Sequence, residues 1–164
     1  MTDLANDKTP EQALQAMGLV LPDPPPAVGA YVPWQRFGNM VTTSFQLPWH
    51  DGGLDATGLA GRDVTLDQAI AAARQCALNG LAQLKEAAGG DLRRVRMVRI
   101  DGHVGCTPEF TDIPTVLDGG SMLVNAVLGA RGRHARTALG HGVMPLGVLV
   151  MLGFLAEIDD GREA

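Results

Sequence analysis

The chain has 164 residues, 46% hydrophobic, 19% charged and 4% aromatic, with 21 glycines and 10 prolines. This length fits one domain and, at about 150 residues, roughly 70% of the unfolded surface can be buried, which excludes a disulfide-stapled peptide and leaves little room for two full domains. Lys and Arg total 13 against 18 Asp and Glu, a formal charge of −5, unlike the basic footprint of a nucleic-acid binder.

The first element in chain order is a short helix. Thr9 can cap it, Pro10 suits its first position and Gln12 completes a capping box. It runs to about Met17 and Gly18 ends it. Pro22-Asp23-Pro24-Pro25-Pro26 lacks four amide donors and reads as a stiff surface strap. Two extended runs between Tyr31 and Leu47, turning at Phe37-Gly38-Asn39, predict a hairpin. Residues 49–62 are glycine- and aspartate-rich without a period, and predict a loop with no phosphate-binding motif. Thr65 and Gln68 form a second capping box, and Leu66, Ile70, Ala73, Ala77, Leu81 and Leu84 follow at helical spacing up to Gly89-Gly90.

Arg94 to Val104 reads as a strand, whose cluster of Arg93, Arg94, Arg96 and Arg99 is a solvated face. Pro108 and Pro114 predict irregular chain up to Leu117, with Asp118 as the N-cap of a helix that stops at Gly129. Two strands close the chain, Ala135 to Leu139 and Gly147 to Ile158. The second is apolar on both alternating faces, so both must be covered. Two helices cover one face of a small sheet, which leaves the other for a partner copy.

Residues with chemistry are scattered. Cys76 and Cys106 form no CxxC and read as buried thiols. His50, His103, His134 and His141 have no metal-ligand spacing, so no metal is expected, and each reads as a surface or hydrogen-bonded histidine. Ser44 and Ser121 lie in no nucleophile elbow. The first twenty residues lack the apolar core of a signal peptide, and the longest apolar run, Gly142 to Ile158, falls short of the ~20 residues of a membrane span. The expected chain is cytoplasmic, with no membrane or nucleic-acid partner. Arg136 stands out because it opens an apolar strand. It is either a side chain snorkelling at a strand end or a planar fork for a carboxylate.

The ordered motifs Gly29-Ala30-Tyr31-Val32-Pro33, Phe37 to Pro48, Cys76-Ala77-Leu78-Asn79, Phe110 to Asp118 and Gly132 to Ala138 resemble the Rid (YjgF-like) family along nearly the whole chain. The resemblance implies an α+β, chorismate-mutase-like (ferredoxin-like) sheet with two helices on one face, assembled as a homotrimer with ligand clefts between subunits. It divides the chain into an N-terminal helix and strap, 1–28, and a Rid-like domain, 29–160.

The family hydrolyses 2-imino acids, such as 2-iminobutanoate and 2-iminopropanoate, to 2-keto acids and ammonia, without a cofactor. By that resemblance Arg136 clamps a substrate carboxylate, the backbone amide of Ala138 assists, Tyr31 lines the cleft and Asp118 stands near the ligand. Phe45 replaces a glycine of the family and Met151 replaces its last-strand Glu. A thioether takes no proton, so the general acid–base help of typically 10² to 10⁴-fold is lost. The expected function is recognition of a small carboxylate-bearing metabolite in an intersubunit cleft. The alternatives are an imine/enamine deaminase that positions water with Tyr31 or Asp118, and a chaperone-like interaction protein.

Overall fold

A computed structural model describes residues 8–54 and 56–161. The start of the chain, read above as lacking a signal-peptide core, lies partly outside the described residues. Five strands form one sheet, β1 (Trp34–Phe37), β2 (Met40–Thr43), β3 (Val95–Gly105), β4 (Ala135–His141) and β5 (Val150–Ile158). Three helices accompany it, α1 (Pro10–Ala16), α2 (Leu66–Ala87) and α3 (Ile113–Leu128). The strand order is β1-β2-β5-β3-β4, antiparallel except for the parallel pair β3–β4, so β4 and β1 are the edges.

Both capping boxes form. Thr65 Oγ1 accepts from the Gln68 amide at 3.2 Å and Gln68 Oε1 accepts from the Thr65 amide at 2.8 Å, which satisfies two amides that the helix start leaves unpaired. Thr9 and Gln12 do the same for α1.

Period-2 alternation places Val150, Leu152, Phe154, Ala156 and Ile158 of β5 against the helices, all buried. They join Val95, Met97, Ile100 and Val104 of β3 and the inner faces of α2 and α3 in one core. Glycines permit this layer spacing. A Cβ on Gly80 of α2 would lie 2.1 Å from the Phe154 ring, and one on Gly102 of β3 would lie 2.5 Å from Leu117 of α3.

The N-terminal segment packs on the same core. Leu14 is buried within it, Met17, Leu19 and Leu21 lie against it, and Lys85 pairs with Glu11 at 3.2 Å. Gln83 of α2 donates to the Pro25 carbonyl at 2.7 Å and fastens the proline strap.

Three expectations need correction. Residues 113–117 are helical, not irregular, because a proline in the first turn forfeits only an amide that would have no intrahelical partner. The N-cap position is therefore Asp112, and Asp118 sits in the second turn with its side chain free for other work. Residues 145–147 form a tight turn in which Leu146 and Gly147 take left-handed φ values of 55° and 66°, so the last strand starts at Val150 rather than Gly147. The apolar run that most resembles a membrane span is 113–132, with mean hydropathy 1.3, not Gly142–Ile158. In the fold, Val116, Leu117, Leu123, Val124, Val127 and Leu128 of that stretch are buried in the core.

Candidate functional site

Arg136 lies on the edge strand β4, in register with the buried Ile100 of β3, and so projects toward the helix layer. Two features of α3 meet it there. Asp118 and Ser121 are three residues apart and share a helix face. Arg136 Nη1 donates to Asp118 Oδ1 at 2.8 Å and to Ser121 Oγ at 3.1 Å. Nη2 reaches only the Pro114 carbonyl, at 3.4 Å, and Nε has no acceptor among the described residues. The Arg136 side chain is 22% exposed, and it lines an open depression of about 330 Å³ with Ser121, Asn125, Arg133 and His134. A guanidinium held on one side, with donors unspent on the other, can take a carboxylate at its free edge.

His134 extends this network. Its Nδ1 lies 2.6 Å from the Gly132 carbonyl oxygen and its Nε2 3.0 Å from Ser121 Oγ. The chain reaches this position because Gly132 is pressed onto α3, where a Cβ would lie 2.7 Å from the Val124 carbonyl oxygen.

The other sequence-predicted residues lie elsewhere. Ala138 faces the helix layer with Arg136, in register with Gly102 and packed against the core. Met151 is in register with His103 and belongs to the opposite, open face of the sheet. Phe45 covers that face at Gly153, where a Cβ would lie 3.0 Å from its ring, and it meets the His103 ring edge-on at 4.9 Å. Tyr31 is half exposed and lines a narrow crevice with Phe45, Ser44 and residues 25–28 of the strap. Asn79 is buried in α2 and donates to the Leu47 and Trp49 carbonyls at 2.8 and 3.0 Å, which pins the segment that follows Phe45. The sheet thus separates Arg136, Asp118 and Ala138 from Met151 and Phe45 within one chain.

The open face also holds His103 and His141, stacked at 4.8 Å with Nδ1 and Nε2 2.6 Å apart. At that distance one nitrogen must be bare. Burial and the neighbouring His141 hold the His103 pKa below its usual value, against a smaller opposing pull from Asp101. A depressed histidine contributes stability above its unfolded pKa of about 6.5, and that contribution is lost as pH falls toward and through the lower folded value. The melting temperature is therefore expected to drop on acidification from pH 7.5 to 5, and His103→Gln should flatten that dependence. An unchanged slope in the variant would remove His103 as its source.

Each arginine of the β3 cluster has a carboxylate partner. Arg93 pairs with Asp91 at 2.8 Å, Arg94 with Asp160 at 2.9 Å, Arg96 with Glu157 at 2.6 Å and Arg99 with Asp101 at 2.8 Å. Cys76 is wholly buried, which pushes its thiol pKa well up and makes it a poor nucleophile.

The family described as "YjgF/chorismate_mutase-like, putative endoribonuclease" matches residues 11–158. The chain belongs to this family. It is 38% identical over 149 residues to Protein TCP17 of Trypanosoma cruzi, covering 90% of this chain and 92% of that one. Its fold superposes on that of Atu1372 from Agrobacterium tumefaciens, a protein of unknown function, with a TM-score of 0.85 and 40% identity over 92% of each chain. It also superposes on RidA from the Antarctic bacterium Psychrobacter sp. PAMC 21119, with a TM-score of 0.57 and 28% identity over 82% of this chain and 93% of the other.

The α+β, chorismate-mutase-like architecture expected from the sequence is the one observed, with α2 and α3 on one face of the sheet. Within this YjgF-like fold, Ser121 and His134 are the site residues that sequence reasoning missed. The signal for Ser121 is its three-residue spacing from Asp118, which is a helix-face pair once the helix starts at Ile113. The misplaced N-cap concealed it.

Proposed function

We propose that the chain binds a small carboxylate-bearing metabolite through Arg136, in a cleft that a neighbouring copy completes within a cytoplasmic homotrimer. The observation that carries this reading is the Arg136 guanidinium, anchored by Asp118 and Ser121 while its Nε edge is unspent beside an open depression. The assembly is supported by the separation of the predicted ligand residues. Tyr31, Phe45 and Met151 can join Arg136 in one cleft only if another copy supplies them. The open sheet face, with Met151, Leu155 and the exposed Leu139, offers the apolar surface for that association. Nucleic acid is not the ligand in this reading, since the net charge is −5 and the β3 arginines are already neutralised by carboxylates.

Thermal unfolding across a series of short 2-keto acids tests the reading. A ligand that binds only the folded state stabilises it, by about 2.7 kcal/mol at a hundred times its Kd. Pyruvate and 2-oxobutanoate are expected to raise the melting temperature, and their primary amides are not. Equal shifts with acids and amides would dismiss the guanidinium clamp, and sedimentation at the mass of one 17.2 kDa chain would dismiss the shared cleft.

A second reading, hydrolysis of a 2-imino acid at the same site, is favoured by the histidine–serine pair that adjoins the guanidinium.

A further inference from the structure

The hydrogen bonds around Ser121 have a fixed direction. Arginine only donates, so Ser121 Oγ accepts from Arg136 Nη1 at 3.1 Å. A carbonyl oxygen only accepts, so the proton of neutral His134 sits on Nδ1, 2.6 Å from the Gly132 oxygen. That leaves Nε2 as a bare lone pair, and at 3.0 Å it can only take the Ser121 hydroxyl hydrogen. The result is a relay from a permanent cation through a hydroxyl to a basic nitrogen. A backbone carbonyl holds the tautomer, as a third group orients the base in a nucleophile–base pair.

Each member of the relay is fixed by a different element. Ser121 is on α3, Arg136 is on β4, and His134 is on the connection that Gly132 presses against α3. All three line the same depression. Met151 is on the other face of the sheet and cannot serve a ligand held on this side within the same chain.

We propose that Ser121 is the catalytic hydroxyl of this site and His134 the positioning and proton-accepting residue behind it, which hydrolyse a carboxylate-bearing imine clamped by Arg136. The inference rests on the carboxylate-binding reading above and adds the proton-handling group to it. In the step, a water oxygen bonds to the imine carbon and the C=N π pair moves to nitrogen, which takes a proton from solvent. The attacking water gives a proton to Ser121 Oγ as the Ser121 hydrogen passes to His134 Nε2. The protonated imidazole then returns a proton, through Ser121, to the amino nitrogen of the adduct. The carbinol oxygen loses its proton to solvent, the carbonyl forms, the C–N bond breaks and ammonia leaves. The sum is imine plus water to ketone plus ammonia, with no redox change.

The test uses the full chain and 2-iminopropanoate generated in the assay from alanine by an amino-acid oxidase, reading the loss of the imine above its spontaneous hydrolysis. Pyruvate-induced melting shifts serve as a separate readout of carboxylate binding. Ser121→Ala and His134→Gln are each expected to lower kcat by 10² to 10⁴-fold; His134→Gln, which leaves both anchors of Arg136 in place, should keep KM and the pyruvate shift within a fewfold of the parent. Added imidazole is expected to restore part of the rate to His134→Gly and none to Ser121→Ala. Turnover retained within threefold in both variants would overturn the proposal, as would a parent protein that shifts with pyruvate but leaves the imine at its spontaneous rate. Either result leaves the binding reading intact. Absence of any pyruvate shift in the parent overturns the binding reading and this proposal together.

Discussion

Arg136→Ala is expected to weaken binding of short 2-keto acids by about 30- to 1,000-fold, measured by calorimetry or by the ligand dependence of melting. Charge-assisted, two-point hydrogen bonds to a partly desolvated carboxylate are worth roughly 2–4 kcal/mol, and each 1.4 kcal/mol is tenfold in affinity. Arg136→Lys keeps the charge but loses the fork, and should recover only part of that loss. Asp118→Asn is informative in the opposite direction. The amide oxygen can still accept from Nη1, while a negative charge next to the incoming anion is removed, so binding should tighten severalfold. The fold itself should tolerate all three changes, because the Arg136–Asp118 pair lies at the surface with side chains 22% and 54% exposed, and such pairs contribute little to stability. Arg136→Ala binding keto acids as tightly as the parent would end the assignment.

Gly119→Val is expected to cost about 3 kcal/mol of stability and to lower the melting temperature by roughly 6–12 °C. A Cβ at Gly119 would stand 2.5 Å from the Ile70 carbonyl oxygen and 2.9 Å from Ile70 Cγ2. The first of these is backbone and cannot rotate away, so α2 and α3 must separate. Gly119→Ala gives the sharper sign. Helix propensity alone would stabilise that variant by about 1 kcal/mol, whereas the close helix contact predicts a loss. Gly142→Ala, with nothing within 4 Å of its added methyl, is the matched control and should change stability by less than about 0.5 kcal/mol. A Gly119→Ala variant more stable than the parent would show that the helices can part at little cost.

Gly119 and Arg136 differ in how much of their setting the sequence alone shows. The helix that carries Gly119 is legible in its apolar spacing and its glycine stop, yet it starts six residues before the point that Asp118 as N-cap predicts. A proline reads as a breaker in isolation, but in a first turn it is tolerated, and only the packing of Val116 and Leu117 into the core shows that the turn forms. Arg136 was legible as an odd charge at the head of an apolar strand. Its setting was not, because the depression beside it is built from α3, the 129–132 turn and β4 together.

The sequence by itself determined the local features of this protein. Two capping boxes, the β1–β2 turn, the long α2 helix and the doubly apolar last strand follow from interactions within a few residues, or from alternation along one segment. Only the tertiary structure decided which groups meet. It joined Arg136 to Asp118 and Ser121, brought His134 within reach of Ser121 and set Met151 on the other side of the sheet. Such meetings depend on strand register and on how closely two helices approach, and register fixes the face to which every side chain on a strand belongs.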